Sequence, residues 1–264
     1  ILTYETDALP LISPVHIEKG VPNSETILKV QSALSDCKRP LIIIGSSTWS
    51  QSGQNALKSF AEASKIPVVA AFRYQDQFDN FSSAFCGEAG VGMPAHVREL
   101  IVASDLIIAI NIRFGEMTTD AYSLLKVPIP DQKLIHVHSA ESELGKIYLP
   151  DIAIHADPNE FSRCLENVSG RWEDWFSSAR RNYLDSLIAP KQPSMVDMGL
   201  VCSIYRKFFP QMLLLLMVPV ILQFGRISFI NLQVIRDYLH RKVELWGTVF
   251  QRLLLLRVHS PIGQ

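Results

Sequence analysis

The residues of this chain best suited to chemistry are small ones and acids rather than nucleophiles. Gly45-Ser46-Ser47-Thr48 follows an apolar run and precedes a helical pattern. Its small side chains would let backbone N–H groups approach a phosphate at the helix N-terminus. The same glycine also suits a plain strand-ending turn, and no GxGxxG fingerprint accompanies it. Residues 87–93, Gly-Glu-Ala-Gly-Val-Gly-Met, place three glycines within six positions just ahead of another helix. A closely approached ligand needs such backbone, and so does a tight crossover loop. Glu141 lies just past a later apolar run, where a ribose hydroxyl would be held, although an acid there also suits a helix macrodipole. His138 and His155 each end an apolar run and read as hydrogen-bonded structural histidines. No Ser/His/Asp or Cys/His constellation can be assembled. Cys37, Cys86, Cys164 and Cys202 are too scattered for a zinc site or a disulfide framework, which fits a reducing, cytoplasmic setting.

Alternating elements must position these residues. Apolar runs at 41–45, 66–71, 105–110, 133–138 and 152–155 read as strands buried on both faces. Between and after them, helical spacing appears at 55–64, 94–103, 118–125 and 159–168. Strand followed by helix, repeated in this way, predicts an α/β fold with a doubly wound parallel sheet, Rossmann-like in class. Such sheets bind ligands at the carboxyl ends of their strands, where the glycine loops, Glu141 and the two histidines fall.

Composition narrows the function classes. The chain has 264 residues, 48% hydrophobic and 19% charged, with a net charge of −1. That is a globular composition with no basic field to attract nucleic acid or an anionic membrane surface. The average hides a break. Residues 1–197 hold 24 acidic and 17 basic side chains, whereas 198–264 hold only Asp237 and Glu244 against eight Lys and Arg. Within that second part, 212–224 reads MLLLLMVPVILQF, which is 13 residues with a proline inside. A bilayer-spanning helix needs about 20 residues, and no helical or strand period is visible here. The first residue is Ile1 and no signal-peptide pattern follows, so the chain reads as a piece of something longer.

The succession LIIIG, IPVVAAFRYQDQFDN, GEAGVGM, SDLIIAINIRFGEMTTDAY, KLIHVHSAESELG and DIAIHADPNEF resembles the central domain of thiamine-diphosphate-dependent enzymes, on the acetolactate synthase-like branch. The resemblance covers about residues 37–168. It implies a homodimeric or homotetrameric parent in which this domain lies between a pyrimidine-binding and a diphosphate-binding domain. Residues 1–30 would be the linker from the first, 31–190 the central domain and 191–210 the start of the third. In that family the central domain carries FAD, in some relatives ADP, or nothing. Residue by residue, the implied nucleotide-lining positions are Gly45, Gly90, Gly92, Met93, Arg113, Glu141 and Asp157. Gly45-Ser46-Ser47 stands where a richer glycine run is usual, and Asn111 where a glycine usually precedes the arginine.

The implied reaction cleaves or joins a carbon–carbon bond beside the carbonyl of a 2-oxo acid, with thiamine diphosphate as electron sink and Mg²⁺ holding its diphosphate. Acetolactate formation from pyruvate is the favoured form; another 2-oxo-acid decarboxylase or an acyl-CoA lyase is the alternative. A non-catalytic nucleotide-binding α/β module is the competing class. It would resemble the NAD-binding deacetylase-type domain, to which the family's central domain is structurally similar, but the absence of the deacetylase histidine and zinc cysteines argues against that enzyme. Neither an activating glutamate of a pyrimidine-binding domain nor a Gly-Asp-Gly metal motif occurs in the sequence.

Residues 199–210, GLVCSIYRKFFP, suit the first helix of the family's diphosphate-binding domain. The leucine run then begins where a strand like Asp-Ala-Ile-Val is expected. A reading frame that takes the third base of each codon with the first two of the next can turn 211–227 into DAIITNGAGNFAVWAH. The same frame can turn 242–258 into SGAMGYGVPAAIAAAS. Both resemble diphosphate-domain motifs in the right order. Residues 211–264 are therefore expected to be an out-of-frame tail.

Overall fold

The computed structural model describes residues 19–168 and 171–188. The expected start of a diphosphate-binding domain at 191–210 and the out-of-frame tail at 211–264 lie outside the described residues, as does most of the linker.

Helix α1 (Ser24–Asp36) opens at Asn23, whose side-chain oxygen accepts from the Thr26 N–H at 2.8 Å, and it buries Ile27, Val30, Ala33 and Leu34 along one face. It crosses the boundary expected at 30/31. Strand β1 (Pro40–Ile44) is buried at every position. Helix α2 (Gln51–Ser64) begins four residues ahead of the pattern read from the sequence, because Ser50 caps it by accepting from the Gly53 N–H. It stops at Lys65, which turns left-handed. Strand β2 (Val68–Ala71) leads through a short 3-10 turn to β3 (Phe85–Ala89). Helix α3 (Ala95–Ala103), β4 (Leu106–Ile110) and a single helical turn, α4 (Glu116–Thr119), follow. After β5 (Lys133–His138) and β6 (Ile152–His155), helix α5 (Pro158–Cys164) is capped by Asp157, and α6 (Glu173–Ser186) packs on β3 and α3.

All six strands are parallel, in the order β3-β2-β1-β4-β5-β6. The doubly wound α/β sheet read from the sequence is the fold. Alternate side chains of β1 and β4 go to opposite faces. Ile42, Ile44, Ile108 and Ile110 pack with α1, α2 and α5, while Leu41, Ile43, Ile107 and Ala109 pack with α3 and the segment after β4. Full burial of one such isoleucine contributes about 1.5–3 kcal/mol, so the central strands are the anchor against which the loops are held. Among the described residues no helix is long and apolar enough to cross a membrane.

Several boundaries differ from the sequence reading. The glycine segment at 87–93 is not all loop, because Gly87 and Glu88 lie within β3. The helix expected over 118–125 ends at Thr119, since Asp120, Ala121 and Tyr122 all take positive φ and unwind it. Helix α5 ends at Cys164 rather than 168. The sequence reading did not include α1 or α6.

Candidate functional site at the strand-end rim

Parallel strands put every βα loop on one rim. Gly45 follows β1, Gly90, Gly92 and Met93 follow β3, Arg113 follows β4, Glu141 follows β5 and Asp157 follows β6. The strand order reverses between β1 and β4, so the place where such sheets bind ligands falls between Gly45 and the residues after Ile110. With neighbouring strands about 4.8 Å apart, the loops of β3 and β6 stand roughly 24 Å from each other. A ligand touching all seven positions would have to lie extended along the rim.

At this reversal the backbones are in contact. The Gly45 N–H donates to the Ile110 carbonyl at 3.0 Å, and a Cβ at Gly45 would stand 2.9 Å from both the Asn111 carbonyl oxygen and the Ile112 Cα. Only glycine permits this approach. Gly45→Ala is expected to lower stability by about 1–3 kcal/mol, the cost of forcing two packed backbones apart, read as a lower urea midpoint with unchanged slope. Beyond Gly45, Ser46 takes φ +64, and the N–H groups of Ser46, Ser47 and Thr48 donate to no acceptor among the described residues. These are donors suited to an anion ahead of α2.

The remaining positions differ in what they have free. Gly92 takes φ +70, the left-handed turn that reverses the chain after β3, and Met93 packs partly buried against the α3 face of the core. Arg113 is 75% exposed, with its Nε 3.7 Å from Glu143 Oε2. Lys146, bonded to Glu143 at 2.8 Å, holds that carboxyl below its ordinary range. Glu141 sits exposed in a 3-10 turn. Asp157 Oδ1 is engaged in capping, accepting from the N–H groups of Asn159 and Glu160 and from Asn159 Nδ2. His138 Nδ1 accepts from the Ala140 N–H at 2.9 Å, and His155 Nε2 lies 3.2 Å from the Ser139 carbonyl. Both histidines thus brace the β5 loop, as the sequence suggested.

Two rim residues have a role that the sequence reading does not give them. Glu88, at the end of β3, accepts from the Arg73 N–H at 2.7 Å and from Gln75 Nε2, and burial pushes its carboxyl up from the usual range. It fixes the β2 loop, where Arg73 takes φ +70. The signal was an acid within the apolar stretch Phe85-Cys86-Gly87-Glu88-Ala89. Asn111, with φ +52, bonds to the loops after β1 and β5.

The structure is a doubly wound α/β domain with its polar loops gathered at a strand-order reversal. Residues 27–165 match the family model described as thiamine pyrophosphate enzyme, central domain, and the chain belongs to that family. It is similar to the acetolactate synthase large subunit of Corynebacterium glutamicum, 28% identical over 161 residues, or 61% of this chain and 25% of the relative. The corresponding protein of Cyanidium caldarium is 25% identical over 136 residues, 52% of this chain and 23% of its own. That of Porphyra purpurea is 25% identical over 186 residues, covering 66% and 30%. The matched region therefore spans only about a quarter to a third of these relatives' lengths.

The family implies thiamine diphosphate. Among the described residues no group of three or more His, Cys, Asp or Glu side chains could hold a metal ion. The rim carboxylates Glu88, Glu143 and Asp157 are already engaged. The described residues thus do not fit a metal-held thiamine diphosphate, and no catalytic step is assigned to them.

Proposed function

We propose that this chain is part of a thiamine-diphosphate- and Mg²⁺-dependent enzyme acting on 2-oxo acids, acetolactate synthase-like, whose whole protein decarboxylates pyruvate and joins the fragment to a second carbonyl. The observation that carries the reading is the family match over 27–165. The similar proteins are named acetolactate synthase large subunits, which favours pyruvate among 2-oxo acids. In this proposal the central domain takes FAD or ADP, its diphosphate near Gly45 and the glycine turn at Gly90, Gly92 and Met93, its ribose towards Glu141. Arg113 supplies charge-assisted bonds and Asp157 lines the far end.

Calorimetry with ADP and with FAD tests the nucleotide part. Arg113→Ala is expected to weaken binding about tenfold, the scale of one charge-assisted hydrogen bond. No affinity of the folded chain for either nucleotide would reduce the domain to a scaffold.

The out-of-frame origin of residues 211–264 belongs to the same proposal. Sequencing the encoding DNA decides it: stops or unrelated residues in the shifted frame across that region would end the idea. A full-length protein with the frame restored should form acetolactate from pyruvate. Failure to consume pyruvate or any other 2-oxo acid would overturn the catalytic reading.

A further inference from the structure

Asn111 joins the loops that a ligand at the strand-order reversal would have to part. It directly follows β4, is 1% exposed, and holds φ +52. That left-handed backbone is disfavoured for a residue with a side chain, though less for Asn than for most, and hydrogen bonds hold it here. Its own N–H donates to the Val137 carbonyl at 2.7 Å. Its Nδ2 donates to Thr48 Oγ1 at 2.8 Å, on the loop after β1. Its Oδ1 accepts from the Ser139 N–H at 3.1 Å and the Ser139 hydroxyl at 3.0 Å, on the loop after β5. One carboxamide thus spans three neighbouring strand ends with both of its polar atoms satisfied.

The partners of that carboxamide have a shared chemistry. The Ser139 N–H is a donor, the Ser139 hydroxyl already donates, and the Thr48 hydroxyl can rotate to donate once Nδ2 leaves. All three could serve the oxygens of a phosphate, which only accepts. We propose that Asn111 is a gate residue, its carboxamide standing in for the diphosphate of a nucleoside diphosphate between the Thr48 and Ser139 loops, so that binding requires the side chain to release both. The inference rests on the nucleotide reading above. It makes Asn111 the residue that sets affinity, because the ligand gains these donors only by breaking bonds the free protein already makes.

The test is titration of the 264-residue chain and its N111G and N111D variants with ADP, and separately with inorganic pyrophosphate, followed by calorimetry. Circular dichroism on each verifies the fold. Glycine adopts φ +52 without strain, so N111G keeps the backbone while removing the gate. N111G is expected to bind both ligands at least about tenfold more tightly than the unaltered chain, a difference of roughly 1.4 kcal/mol. N111D, the same shape with a negative charge between the same loops, is expected to bind neither measurably. Equal ADP affinity for the unaltered chain and N111G would overturn the gate and leave the nucleotide reading standing. No binding by either, with both folded, would overturn both. A gain for ADP without one for pyrophosphate would overturn the placement of the diphosphate at Asn111.

Discussion

The purified 264-residue chain, given pyruvate, thiamine diphosphate and Mg²⁺, is expected to consume no pyruvate above a protein-free control. The family resemblance implies two supports for the cofactor: a glutamate in a pyrimidine-binding domain and carboxylates in a Gly-Asp-Gly motif. These residues include neither. The family match begins at residue 27, and the rim carboxylates Glu88, Glu143 and Asp157 are bonded to loop backbone, to Lys146 and to a helix N-terminus. Without either support the cofactor is not positioned. Good positioning supplies on the order of 7–11 kcal/mol of a barrier, so its loss removes essentially all measurable turnover. If the tail is out of frame, as proposed, restoring the frame would return diphosphate-domain motifs but not the activating glutamate, and that version is expected to stay inactive. Pyruvate loss in a coupled assay, abolished by heating the protein, would place catalytic groups within these 264 residues.

The parts of the fold that could be read from the sequence are those with an unbroken apolar run. Residues 41–44, 106–110 and 133–137 are buried nearly throughout, and a strand covered on both faces leaves little ambiguity in its side chains. Strand β3 is hidden in the sequence because its five residues include Gly87 and Glu88, which are depleted in strands. Its place is set by pairing with β2 and by cover from α6. Helix α1 carries a legible pattern, with Asn23 ahead of Ile27, Val30 and Leu34, but it straddles the boundary expected between linker and domain.

The same division holds for the rim. Gly45 could be singled out because a glycine closing an apolar run is a local signal. The bridge made by Asn111 could not, since its partners lie 63 and 28 residues away and meet only when β1, β4 and β5 align. Glu88 is similar: its raised carboxyl depends on burial by a loop from another strand. Local sequence thus reports where the rim is, and tertiary pairing decides which of its groups remain free for a ligand.

Acidification should expose one buried group outside the rim chemistry. His136 lies in β5, is 1% exposed, and has its ring 5.0 Å from that of Phe114. Its Nε2 is 3.0 Å from the Ile112 carbonyl, so the neutral ring donates there, while Nδ1 has no partner. A proton added at Nδ1 would be a buried donor with nothing to accept it. Burial accordingly pushes the imidazole down to about 4, outweighing the opposing Ile112 bond, while His138 adds a smaller downward push and the charge of Glu143 a smaller upward one. The unfolded chain, with an ordinary value near 6.5, binds this proton more readily than the folded one. His136 therefore leaves stability unchanged above about pH 6.5 and lowers it as pH falls towards about 4, by on the order of 3 kcal/mol in all. Other groups titrate over the same range, so the comparison must be with His136→Phe, which keeps an apolar ring of similar size and cannot protonate. Urea midpoints measured from pH 7 to pH 4 are expected to fall more steeply for the unaltered chain. A stability difference between the two that stays constant across that range would mean that His136 takes up its proton equally well folded and unfolded.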